Sequence, residues 1–595
     1  MQDLSPTKTT LLSETTQPET AETKRVWTAW DSLSLLLFAS IVALELVRHK
    51  PWADEAQGWL MARSMGFWPL LTHGVRYEGS PGLWHCFLRV LILLHVGYAA
   101  MPWIAGATAV AGIAIFLRWS PFPILLRVLL PLTFWLAYQD AVIARSYVLF
   151  TPLGFAAVAL LRAQARRPVL LAVILALSAN LSLHGFVAAC AMAWVAIVIE
   201  RRRRKNTSTS NVAQASPITA PNKNWSSKQT LVAGLIFLLG ASLAVSSAFP
   251  PADSSSPTSE NLVHSLHKIE AQLNGQALSS RAPAPTAAEH SAKTLVPVPN
   301  PRHHHTHWQS LHEKLARILG AITFPLSSVA LFGLVLFSTL LWLTRCSAKA
   351  HLQSLLPQTQ PNSPPLGWIG LAPYGLLLLV FSFMYLAPRH CGMLMTGFLI
   401  SLWLVWPQTS QSSAAHFPAR GLRIATALLL LMAAEQIGWT AHALWASTHV
   451  AGSPGEATAE LLAQHPQARV AGFYYHAVNA QPYFAQNRYF NWTTPYWHWS
   501  QRQQSSDDAP EAIAQHPKFL VVGGWTWSPV NSSVAYDWDG PKADINTVWM
   551  QDNYRIVAYA EAHGYRVTHI FCGEQFMRWS DSERACDIVL EPTAQ

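Results

Sequence analysis

The sequence predicts a mainly α protein: a polytopic transmembrane helical bundle of about 11–13 spans, followed by a C-terminal extracytoplasmic α/β domain. Three observations carry that reading. Hydrophobic residues make up 51% of the 595 residues and charged residues only 12%, about half the share usual in soluble domains. The apolar residues fall in runs long enough to cross a bilayer, most clearly 31–47, 230–248, 315–343, 367–386 and 422–446. Beyond residue 450, charge and turn residues return and no run is long enough to span.

Residues 1–27 are polar and rich in Thr, Ser and Glu, the composition of a disordered cytoplasmic N-terminus. The first apolar run has no small-residue cleavage site after it and reads as a retained anchor. The membrane part extends over 28–449, with an acidic outer loop at 49–82. Further apolar segments follow at 83–98, 102–118, 122–139, 146–162, 168–183 and 186–200.

Basic clusters orient the chain, because Lys and Arg accumulate on the cytoplasmic side. Arg162–Arg167, Arg201–Lys205, Arg345–Lys349 and Arg420–Arg423 are assigned to that side. The outer face then receives Asp54, Glu55, Arg145, His184, the 250–314 loop, Arg389, His390 and everything after 447. This predicts a multi-pass protein of the inner, cytoplasmic membrane with its C-terminal domain periplasmic. The apolar segments come to twelve, the eleven ranges above and one more, which conflicts with an inside N-terminus and an outside C-terminus, since these need an odd number of crossings. One segment among 83–139 must lie in the interface, re-enter or be split, and the one holding Arg127 and Pro131 is the least comfortable spanner.

Segments 206–228, 250–310 and 347–366 are polar linkers rich in Ser, Pro, Asn, Gln or Ala. In 450–595 a helix-then-strand unit recurs three times, with helices near 459–466, 510–517 and 558–564 and strands at 469–475, 518–524 and 565–571. That alternation predicts a small α/β domain with a largely parallel sheet. Of six cysteines, only Cys572 and Cys586 lie in this region, and they would pair in an oxidising compartment. The net charge of +9 sits beside apolar segments as orientation signals, so no nucleic-acid partner is implied.

The chemistry concentrates at Trp52-Ala-Asp54-Glu55-Ala-Gln57-Gly-Trp59 and at Tyr77-Glu78-Gly-Ser-Pro81-Gly-Leu-Trp84-His85. Carboxylates are costly near hydrocarbon, and clusters of them at a membrane surface point to function. Two other signals are discounted. His303–His307 is a histidine run in a Pro-rich loop without fixed geometry, and Asp537-Trp-Asp539 is flanked by turn residues with no phosphate-binding glycine loop. No metal-ligand set is assigned, and a divalent cation at the site is left open.

An Asp-Glu pair in the first outer loop, followed by an acidic, Pro-containing stretch leading into the next apolar segment, resembles the GT-C superfamily of polytopic glycosyltransferases. The resemblance is nearest to bacterial proteins similar to protein O-mannosyltransferases and aminoarabinose transferases. In motif terms it covers residues 28–200, and over 230–447 it is a pattern of hydropathy. The second motif departs from the family's His-Pro-Pro-Leu pattern, so the acceptor class (lipid, glycan or protein) stays open.

The resemblance implies inverting transfer of a sugar from a polyprenyl-phosphate carrier to an acceptor hydroxyl or amine on the outer membrane face. Asp54, matching the first acid of the family motif, would then be the general base. Glu55 would orient the acceptor or a neighbouring group, and Glu78 would join the same pocket. A hydroxyl is a poor nucleophile and needs a positioned carboxylate to take its proton. The leaving phosphate needs cationic and hydrogen-bonding partners, offered by Arg145 with Tyr147 and by Arg389 with His390. His184, at a tight outer turn, is a further candidate for substrate binding. The same residues permit two other classes, a lipid-linked glycan transporter or flippase and a non-catalytic envelope assembly protein. Transport favours ionisable groups at mid-membrane depth, whereas these map to segment ends.

Overall fold

The computed structural model describes residues 27–162, 167–210, 225–251, 254, 315–316, 318–354, 366–383, 390–407, 418–449, 451–500, 509–529, 556–578 and 581–593. Helix α1 (Ala29–Arg48) begins at Thr28, where a capping box forms: Asp31 N–H donates to the Thr28 side chain and Thr28 N–H donates to the Asp31 carboxylate. The same Asp31 is buried against Arg127, with Nη2 to Oδ2 at 3.0 Å and Nε to Oδ1 at 2.5 Å. Pairing is what allows a charge at this depth.

Arg127 lies on a broken helix made of Ile124–Leu132 and Trp135–Val142, whose halves are bent by 52°. Pro131 sits at the end of the first half, where its missing N–H and ring interrupt the ladder. The awkward segment of the sequence is therefore the bent one.

The other helices follow in order as α2 (Ala53–Ser64), α3 (Val75–Glu78), α4 (Leu83–Leu93), α5 (Met101–Trp119), α6 (Tyr147–Arg162), α7 (Pro168–Ala179) and α8 (Leu183–Ser210). Then come α9 (Ser227–Ala248), α10 (Ala330–Ser354), α11 (Ala372–Phe383), α12 (Cys391–Val405), α13 (Ala419–Ser447) and α14 (Gly455–Ala463). Among the described residues, six helices are long and apolar enough to cross a membrane, beside the bent pair and five shorter apolar helices. All of these but α12 (Cys391–Val405) correspond to the apolar ranges named in the sequence.

The run 315–343 is not one span: the chain turns at 324–329 before α10. There Glu435 of α13 accepts from Ser327 Oγ and Ser328 N, each at 2.7 Å. Aromatic side chains fill the bundle centre. Phe116, Phe155 and Trp403 pack with ring centroids 5.1–6.0 Å apart, within the range of favourable aromatic pairs.

The C-terminal sheet contains β1 (Val470–Phe473), β2 (Phe519–Pro529), β3 (Tyr565–Arg578) and β4 (Asp581–Pro592), in the order β1-β2-β4-β3. Only β1 and β2 pair parallel; β4 is antiparallel to both β2 and β3. The expectation of a largely parallel sheet is corrected here. β4 follows β3 after a short connection and folds back on it as a hairpin, so it inserts antiparallel beside β2. Cys572 and Cys586 face each other across β3 and β4 and form a disulfide.

This region docks on the bundle. Glu574 N donates to Ala451 O at 2.8 Å, and the Phe576 ring lies edge-on to His442 of α13 at 4.7 Å. Gln57 of α2 makes a reciprocal pair with the Trp497 backbone, Nε2 to O at 2.7 Å and N to Oε1 at 2.9 Å.

Candidate functional site

The site is built on the first turn of α2, where Asp54 and Glu55 lie at the positive end of the helix dipole. The two adjacent acids do different things. Glu55 is fully buried and accepts from the backbone N–H of Trp52 at 3.1 Å and of Ala144 at 2.7 Å, and it meets His49 Nε2 at 3.0 Å. Its carboxylate therefore staples the end of α1, the start of α2 and the turn before α6 together. Asp54 is partly buried. One of its oxygens pairs with Arg145, and the other accepts from the Tyr475 hydroxyl at 2.6 Å.

Arg145 occupies the turn between the broken helix and α6, its N–H donating to Ile143 O at 2.8 Å. With Ala144 held by Glu55 and the Arg145 side chain held by Asp54, the acid pair grips this turn at two successive residues. Burial works against the Arg145 charge, but Asp54, Tyr147, Tyr475 and Glu78 outweigh it and raise its pKa well above the ordinary arginine value. The guanidinium is permanently cationic.

Glu78 closes α3, and Gly79 follows at φ 62°, the left-handed conformation that lets the chain turn straight into the Ser-Pro-Gly connection. That turn brings His85 of α4 back onto Glu78, Nε2 to Oε2 at 3.2 Å. Burial and the Asp54 charge raise the Glu78 pKa, whereas His85 and Arg145 lower it; the lowering wins and Glu78 stays ionised.

Beyond Arg145 the site continues as a row of rings. The guanidinium carbon lies 5.8 Å from the Tyr147 ring centre, and Tyr147 meets His390 edge-on at 6.0 Å. His390 lies 5.1 Å from His184, which stacks on Phe381 at 4.3 Å. The Nδ1 atom of His184 is buried and meets no hydrogen-bond partner among the described residues. Six segments of the sequence thus converge, those of Asp54, Glu78, Arg145, His184, His390 and Tyr475.

Of the residues singled out in the sequence, Asp54, Glu55, Glu78, Arg145, Tyr147, His184 and His390 are brought into this one connected set. Arg389 lies outside the described residues, as do His303–His307 and Asp537–Asp539. Sequence reasoning missed His85 and Tyr475. The first was in plain view seven residues after Glu78. The second follows the C-terminal end of β1, and Tyr474 between them adopts φ 64°, a strained conformation for a non-glycine residue that turns the chain out of the strand. The pKa of Tyr475 is raised well above ordinary by burial and by Asp54, so its hydroxyl keeps the proton it donates.

No protein-family model matches the sequence, and no curated protein matches it. Among solved structures, the single-particle cryo-EM structure of the arabinofuranosyltransferase AftD from Mycobacteria matches with a TM-score of 0.39 and 12% identity, covering 95% of this chain and 40% of that one. The chain spans about two-fifths of that structure's length.

Proposed function

We propose that the protein is an integral-membrane glycosyltransferase that moves a sugar from a polyprenyl-phosphate carrier to an acceptor hydroxyl or amine at the outer membrane face. The observation that supports it is the Asp54 carboxylate, partly buried and held between Arg145 and Tyr475. In this reading the acceptor oxygen or nitrogen attacks the anomeric carbon and its proton passes to Asp54. The bond from that carbon to the carrier phosphate breaks, and the electron pair leaves with the phosphate. Inversion follows from a single displacement.

Charge then builds on the phosphate oxygens. Arg145 supplies a planar fork suited to them, and His184 and His390 supply ring N–H donors one step further along the cleft. Glu55 acts here as a positioning residue, since its lone pairs are engaged by backbone and His49 and it touches the reaction through the 144–145 turn. Purified protein incubated with polyprenyl-phosphate-linked pentoses and hexoses tests the proposal. Sugar transfer by wild type and its loss in Asp54→Asn is the expected pair of results; no transfer by wild type would sink the proposal, and a variant as fast as wild type would remove Asp54 as the base.

A second reading, a carrier for a lipid-linked glycan, has one observation in its favour. Asp140 on the broken helix is buried, and Thr151 Oγ1 donates to its Oδ2 at 3.0 Å while Oδ1 meets no protein partner. Proton-coupled carriers use such groups at depth. Flipping of a fluorescent lipid-linked glycan in proteoliposomes, blocked by Asp140→Asn and untouched by Asp54→Asn, would favour it.

A further inference from the structure

Residues 496–499 read Tyr-Trp-His-Trp and form neither helix nor strand, and Ser500 N–H closes a tight turn on the His498 carbonyl at 2.8 Å. They are pinned at Trp497, whose backbone N–H and carbonyl are both taken by Gln57, one helical turn after Asp54 on α2. The two rings that follow Trp497 meet different neighbours. Trp499 packs on Tyr475 at 4.9 Å, on the Asp54 side. His498 packs on Tyr77 at 4.1 Å, on the Glu78 side. Tyr475, His498 and Trp499 are each half-buried, so the rings are held by packing yet keep part of their surface accessible.

The cleft therefore has rigid aromatic faces at the same place as two carboxylates. Each carboxylate already has a basic neighbour, Arg145 for Asp54 and His85 for Glu78. The carboxylates offer hydrogen-bond acceptors without an unopposed negative charge, a combination that gives little advantage to an ammonium group. We infer that this aromatic strip is the acceptor subsite and that its occupant is a neutral sugar residue. The C–H face of a sugar ring carries partial positive charge and lies against the electron-rich face of Trp499 or Tyr475. The hydroxyls on its rim donate to Asp54 and Glu78. That orientation presents one hydroxyl to the proposed base, which a peptide or a lipid amine would not share. The inference rests on the glycosyltransferase reading and narrows its acceptor.

The test uses the purified full chain and three probes, mannotetraose, arabinotetraose and cellotetraose, with binding followed by intrinsic fluorescence and calorimetry. Saturable binding of at least one probe is expected, weakened about tenfold or more by Trp499→Ala and kept within about threefold by Trp499→Phe. In transfer assays the Trp499→Ala change should raise the acceptor KM with little change in kcat. Binding of none of the probes by wild type, or equal binding by Trp499→Ala, overturns the subsite. The two proposals fail separately. If Asp54→Asn abolishes transfer while Trp499→Ala changes neither binding nor acceptor KM, only the subsite falls; absence of transfer by the wild-type protein from every lipid-phosphate sugar removes the glycosyltransferase reading itself.

Discussion

The Tyr475 hydroxyl donates a 2.6 Å hydrogen bond to Asp54 across 421 residues of sequence. It joins the first polar loop of the membrane part to the end of the first strand of the C-terminal sheet. The candidate base is therefore completed by a region with no span of its own.

That bond gives the first prediction. A hydrogen bond to a charged group is worth about 1.5–3 kcal/mol, so Tyr475→Phe should lower kcat about tenfold or more while leaving the donor KM nearly unchanged. Because burial and Asp54 keep the Tyr475 proton in place, wild-type activity should not fall through loss of this bond between about pH 6 and pH 10. A pH–rate profile on both proteins checks this. Equal kcat would show that the bond does not position Asp54.

Arg145 is asked to bind both Asp54 and the leaving phosphate. Arg145→Lys keeps the charge but loses the planar fork, and should cost about 10²-fold in kcat; Arg145→Ala should cost about 10³-fold. Steady-state rates with a lipid-phosphate sugar give the measurement. A lysine variant at full activity would mean that only the charge matters.

His184 and His390 lie beyond Arg145, away from the aromatic strip. Replacing either by Ala should raise the donor KM about five- to tenfold, and leave the acceptor KM alone. An effect on the acceptor side instead would reverse the assignment of the two ends of the cleft.

Asp587 makes a prediction about stability. It is buried in β4 with only Thr458 Oγ1 donating to Oδ2 at 2.7 Å, and burial raises its pKa from 3.8 to about 7, the hydroxyl opposing. The folded state thus holds a proton that the unfolded chain releases. The stability this contributes is complete below the unfolded value of 3.8. It is lost as pH rises towards about 7, where the folded group ionises too. Asp587→Asn should melt higher than wild type at pH 8, by about 1–3 kcal/mol, and lose that advantage near pH 4. Thermal melts of the full chain in detergent at both pH values provide the check.

Much of this was legible without coordinates. The named apolar runs mark the long apolar helices apart from α12, because a span must be long and continuous in sequence. Pro131 and Arg127 marked the one that breaks, since a missing N–H and a charge are local facts. Asp54, Glu55, Glu78, Arg145, Tyr147, His184 and His390 were singled out because charge and histidine are scarce in this part of the chain, and basic clusters put the ends of their segments on one face.

What only the tertiary structure decided is who meets whom. Adjacent acids look equivalent in sequence, yet neighbouring residues on a helix point about 100° apart, so Glu55 turns inward to backbone donors while Asp54 turns to Arg145. His85 became the partner of Glu78 because Gly79 can adopt a left-handed turn. The antiparallel insertion of β4 and the arrival of Tyr475 and Trp499 depend on contacts across hundreds of residues, which no local pattern encodes. The sequence by itself determined which segments enter the membrane and where charge is conspicuous. Packing determined the site, because side-chain direction and long-range pairing are settled only when the helices and the sheet close on one another.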